Sequence, residues 1–208
     1  LACSLAMRNS SAAESKSEKE KLFVIREHQG QVIGPDHQDV KASENRSGFE
    51  TGQVVKHKGV YHMFVNEMFG EHHYDIRTSH WTSPDAVNWK RQSTLMEGVP
   101  GRSHTNLRSE IWMTGVEYNE EEEAWNIFYA AYRKGNKSAG EGGRTDYDGR
   151  IWRAKSTVKG PDGIGGPYKD VEIILQPDEN TQKWEGQQAV DSFNPYQVGD
   201  KWYGFYGG

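Results

Sequence analysis

The sequence predicts an all-β fold built from a repeated hairpin, and for strand-only units the leading architecture is a β-propeller. The repeat itself is the first observation. Residues 49–66 read as a carboxylate, Glu50, then a strand, a tight turn at Lys58-Gly59 and a second strand rich in aromatic and β-branched residues. Residues 189–206 keep that order, with Asp191 as the carboxylate and Gly199-Asp200 as the turn. Residues 111–119 and 125–130 repeat it with a longer acidic turn between. The second observation is composition: 12% aromatic residues, 23 glycines and few Leu/Ala-rich helical runs suit short strands joined by many turns.

In chain order, residues 1–21 read as a Ser/Ala/Glu/Lys-rich tether outside the fold. Residues 22–25 read as a short strand, and 30–47, with Gly34-Pro35-Asp36-His37, as a polar loop. The first repeat spans about 48–95. Its opening hairpin is followed by a loop carrying Glu71, His72 and His73, a third strand at 75–81, a Ser83-Pro84-Asp85 turn and a fourth strand. Four antiparallel strands make one propeller blade.

The second repeat spans about 110–175. Its hairpin covers 113–118 and 125–132, its third strand 148–156 and its fourth 171–175, with a Gly-rich loop at 134–148. A third opens at about 189 and supplies two strands. Successive openings therefore recur about every seventy residues, and propellers close with about four to eight blades. Two and a half blades predict that residues 22–208 are part of a larger propeller.

Charge and cysteine content exclude several classes. A formal charge of −5 gives no basic surface for a polyanion, so nucleic acid is not an expected partner. Cys3 is the only cysteine, so no internal disulfide forms. No run of eighteen apolar residues is present. Leu1-Ala2-Cys3-Ser4 is similar to the end of a bacterial lipoprotein signal, which implies an exported protein tethered to a membrane through Cys3. A chance cysteine at a fragment's start fits equally. The glycines at 160–166 follow no strand-to-helix phosphate loop, and no nucleophile elbow appears. No cofactor or protein partner is expected, and nothing in the sequence supports a structural calcium.

In a propeller the first strand of each blade lines the axis, so residues at its start meet at one mouth. Glu50 and Asp191 hold that place and are the candidate catalytic pair, because two converging carboxylates can carry acid/base chemistry on a glycosidic bond. Glu110 lies slightly upstream of the matching place in the second blade. The plainer alternative is that each carboxylate caps a turn or pairs with Arg46, Arg102 or Arg108. His104 and Arg108, with Arg102, are candidates to contact sugar hydroxyls, a uronate or a sulfate. Aromatics mostly fill the wedge between blades, and of the tryptophans Trp112 and Trp184 lie nearest blade openings. His72-His73 with Glu71 and Asp75 reads as a solvated or substrate-lining loop, because adjacent residues on one loop rarely ligate one ion together.

The openings at 50–66 and 191–207 resemble those of five-bladed β-propeller glycosidases, above all glycoside hydrolase family 43, with families 32 and 117 sharing the architecture. The resemblance covers about 48–208 and includes Ser83-Pro84-Asp85 with Trp89, and Trp112 with the 125–129 strand. It implies that Glu50 falls at the general-base position and Asp191 at that of the aspartate tuning the general acid, whose glutamate would lie beyond Gly208. Like-charge repulsion from Asp191 would keep that acid protonated. Family 43 usually places Asp where this chain has Glu50. The implied reaction is hydrolysis of a plant or algal poly- or oligosaccharide. It inverts if the carboxylates stand roughly 6.5–9.5 Å apart and retains at roughly 5–5.5 Å. A carbohydrate-binding propeller without catalysis is the alternative, and a protein-interaction scaffold a further one.

Overall fold

The computed structural model describes residues 30–45, 47–69, 75–99, 104–134, 146–185 and 190–207. The tether, the strand expected at 22–25, and the Glu71-His72-His73 loop lie outside them. Among the described residues, ten strands form three antiparallel sheets. β1 (Gly48–His57), β2 (Val60–Met68), β3 (Ile76–Ser83) and β4 (Lys90–Glu97) make the first, in that order. β5 (Glu110–Asn119), β6 (Ala124–Lys134), β7 (Asp146–Ser156) and β8 (Tyr168–Leu175) make the second. β9 (Asp191–Val198) pairs with β10 (Lys201–Gly207). These are two whole blades and half of a third.

Local chemistry explains the hairpins. Lys58 and Gly59 both take positive φ, 47° and 84°, as the tight turn between β1 and β2 demands. In the turn before β4, Asp85 Oδ1 accepts the backbone N–H groups of Val87 and Asn88 at 2.9 and 2.7 Å. Those bonds hold its carboxyl well below the usual range.

The stretch expected to be a loop contains one short helix, α1 (Gln38–Ala42). Five residues are too few to show a helical period, and its N-cap is histidine rather than a residue usual there. His37 Nδ1 accepts the Asp39 N–H at 3.1 Å while Nε2 lies 3.1 Å from the Trp89 carbonyl, which fixes α1 against the first blade. Val40 then packs with Val65, Trp81 and Trp89.

The main core lies between the first two blades. Phe64 and Met96 meet Ile111, Met113, Val116 and Ile127 there. Two side-chain amides supplement it by imitating a β-ladder across the gap. Gln53 Oε1 accepts the Val116 N–H at 2.7 Å and its Nε2 donates to the Val116 carbonyl at 2.9 Å. Asn66, fully buried, does the same for Met113 at 3.0 and 3.2 Å, and also donates to Thr51 Oγ1 at 2.6 Å. Asn66→Ala would leave the Met113 N–H and C=O without this partner in a buried place. We expect a loss of about 2–4 kcal/mol in urea denaturation. A change below about 1 kcal/mol would show that the ladder contributes nothing to joining the blades.

Blades two and three also meet in close contact. A Cβ on Gly115 would stand 3.1 Å from Pro195 Cδ, so a larger residue there must push β9 away. Phe128 and Phe193 pack across the same boundary with ring centroids 5.5 Å apart.

Candidate functional site

Each opening strand carries a β-bulge at the same place. The extra residue is Thr51 in β1, Thr114 in β5 and Ser192 in β9. Thr51 and Ser192 hold φ of 49° and 47°, a left-handed conformation that non-glycine residues adopt at a cost. Bulges re-aim the neighbouring side chain. Here each bulge follows the residue at the matching place of its blade, which is Glu50 in the first, Met113 in the second and Asp191 in the third. Glu50 and Asp191 are therefore equivalent in structure, as in sequence. Glu110 is three residues upstream of its blade's matching place and fully buried.

The two carboxylates line one cavity of about 190 Å³ together with Thr51, Trp112, Met113, Thr114, Tyr132 and Ser192. Glu50 is exposed and Asp191 half-buried. Trp112 Nε1 points at Glu50 Oε2, 3.4 Å away, and its ring meets Tyr132 edge-on at 5.7 Å. Asp191 Oδ1 accepts the Tyr132 hydroxyl and, at 2.7 Å, the N–H of Ser192. The arrangement offers two acidic groups, an aromatic wall and an opening to solvent. That suits a polyhydroxylated ligand.

Of the candidates from sequence, the structure brings Glu50, Asp191 and Trp112 together. The others do not line this cavity. His104 is exposed, its Nδ1 2.9 Å from the Lys134 carbonyl. Arg108 pairs with Asp170 at 3.1 Å and lies over the Tyr129 and Trp152 rings, so its charge serves the second blade. Burial pushes the Tyr129 phenol upward, and it stays protonated to donate to Asp170 at 2.7 Å. Trp184 sits 57% exposed on a 3-10 turn beside Tyr206. Among the described residues, no three His, Cys, Asp or Glu are grouped to hold a metal.

Tyr132, Thr114 and Ser192 escaped the sequence reading. The bulges leave no pattern in composition. Tyr132 was visible only as one more aromatic in a buried strand, at the end of β6 opposite Glu110. A larger groove of about 530 Å³ runs between β8 and the β9–β10 hairpin, but it is mostly apolar. Its charged pair, Arg153 and Glu172, is bound to itself at 2.8 Å.

The fold is that of a β-propeller, of which the described residues form about two and a half blades, and it resembles the fold of solved glycoside hydrolases. No protein-family model matches the sequence, and no curated protein is similar to it. Solved structures are. A BT0996 complex with RGII shares 12% identity over 79% of this chain and 49% of its own length, with a TM-score of 0.57. A glycoside hydrolase gives 12%, 79%, 49% and 0.55 in the same order. The GH43 beta-1,3-galactosidase BT0265 gives 22%, 74%, 28% and 0.49. The chain thus spans half or less of these structures, and at such identity the likeness to the first two establishes the fold alone.

Proposed function

We propose that this chain is part of a glycoside hydrolase propeller that cleaves plant or algal poly- or oligosaccharides. The carrying observation is the pair Glu50 and Asp191, placed on matching bulges of different blades and facing one cavity. Glu50, the more exposed, acts as general base on a water. Asp191 stands beside the general acid and orients the sugar, and Trp112 offers a ring for stacking. We further propose export, with Cys3 as the tether, on the strength of Leu1-Ala2-Cys3-Ser4.

The test uses the full-length protein on a panel of aryl glycosides and of algal and plant glycans. Glu50→Gln and Asp191→Asn are each expected to lower kcat about 100-fold or more on any substrate the wild type cleaves. Glycan binding without hydrolysis, unchanged in both variants, would favour the non-catalytic carbohydrate-binding propeller instead.

A further inference from the structure

We propose that Tyr132 is a positioning residue, and that the aromatic pair Trp112–Tyr132 lets the second blade orient the carboxylates of the first and third. The inference rests on the glycosidase reading of Glu50 and Asp191 and extends it to the second blade, whose matching place holds Met113 instead of a carboxylate.

Tyr132 is buried to 1% exposure, yet its hydroxyl reaches across a blade boundary to Asp191 Oδ1. The same oxygen takes the Ser192 N–H at 2.7 Å. Two donors from different blades on one carboxylate oxygen restrain both torsions of a short side chain. On its other side the Tyr132 ring meets Trp112 at 5.7 Å and 77°, and the Trp112 N–H points at Glu50 Oε2 at 3.4 Å. One aromatic pair therefore touches both acidic groups. A phenylalanine would fill the space equally well, so packing alone explains the ring and not the hydroxyl. A hydroxyl aimed at a carboxylate in the mouth acts on orientation, which a bond-breaking site needs held within narrow limits.

The experiment compares wild type, Tyr132→Phe, Asp191→Asn and the double variant in the full-length protein, on the aryl glycoside that the wild type cleaves fastest. Losing one hydrogen bond to a charged group predicts a fall in kcat of about 10- to 100-fold. KM should stay within about threefold and Tm within about 4 °C. Because the hydroxyl acts through Asp191, adding Tyr132→Phe to Asp191→Asn should cost less than about threefold more.

Multiplied losses in the double variant would overturn the proposal, as would a kcat/KM within about twofold of wild type in Tyr132→Phe. A Tyr132→Phe protein that does not fold would make the residue one of packing and overturn it too. If Asp191→Asn is inactive while Tyr132→Phe is intact, only this inference falls. If the wild type cleaves nothing, the glycosidase reading fails and takes the inference with it.

Discussion

Glu67→Ala is expected to destabilise the protein by about 3–5 kcal/mol, enough to threaten folding altogether. Glu67 is fully buried in β2, on the first blade. Its carboxylate accepts Arg77 Nε at 2.8 Å, Arg91 Nε and Nη2 at 2.9 Å each, and Trp81 Nε1 at 3.0 Å. Burial alone would raise its pKa, but the hydrogen bonds of Arg91 and Arg77 and the charge of Arg91 outweigh that and hold it below the ordinary value. Removing the carboxylate leaves two inward-facing guanidinium groups without their common partner, and orphaned buried charge dominates the cost. Glu67→Gln keeps an acceptor and should lose less. Urea denaturation of the three proteins measures this. If Glu67→Ala costs under about 1 kcal/mol, the network is ornamental, as exposed ion pairs commonly are. The sign with pH also follows. A depressed carboxylate contributes stability that is fully present above its unfolded pKa and is lost as pH falls through the folded one.

The second large effect is a loss of stability in mild acid caused by a histidine pair. His80 is buried in β3, with its Nε2 2.9 Å from His62 Nδ1 and the rings stacked 5.1 Å apart. Burial first, then the charge of His62, pushes the His80 pKa down from 6.5 to about 4, and burial and His57 depress His62. Both are bases lowered by folding, so above pH 6.5 both states are neutral and nothing is lost. As pH falls below 6.5 the unfolded chain takes up protons that the folded one refuses, and stability declines until about pH 4, by up to about 3 kcal/mol for His80.

The groups around the pair bear on this decline. His57 lies beside His62 on β1, and Asp162, on the turn after β7, is bound by His57 at 3.0 Å and by Lys58. Phe64 stacks on the inner face of His80, and Gly165 covers it from the second blade. Urea midpoints at pH 7.5, 5.5 and 4.5 for wild type and His80→Phe test the claim. The variant should show a shallower decline. Parallel curves would mean that other groups set the acid limit.

Much of the fold was legible because hairpins announce themselves locally. Alternating aromatic and β-branched residues interrupted by Lys58-Gly59 or Gly199-Asp200 can be placed without knowing any neighbour. The carboxylates at the first and third openings were equally local, and they pointed to Glu50 and Asp191. Illegible were the features whose cause lies in another blade or a distant strand. Arg108 was open in the sequence between a sugar contact and a blade carboxylate, and the carboxylate that holds it is Asp170, 62 residues later. Trp184 looked close to an opening in sequence and is turned against Tyr206 instead. Helix α1 was missed because five residues carry no period, and its cap depends on Trp89 from far along the chain.

Order, length and pairing of the strands, and the places of the two acidic openings, are properties of short segments and can be read along the chain. The meeting of those openings is not. That Asn66 ties one blade to Met113 of the next, and that Tyr132 donates to Asp191, depend on contacts between residues 47 and 59 positions apart. Such contacts are set by how one twisted sheet packs on another, and no local pattern of side chains encodes that geometry.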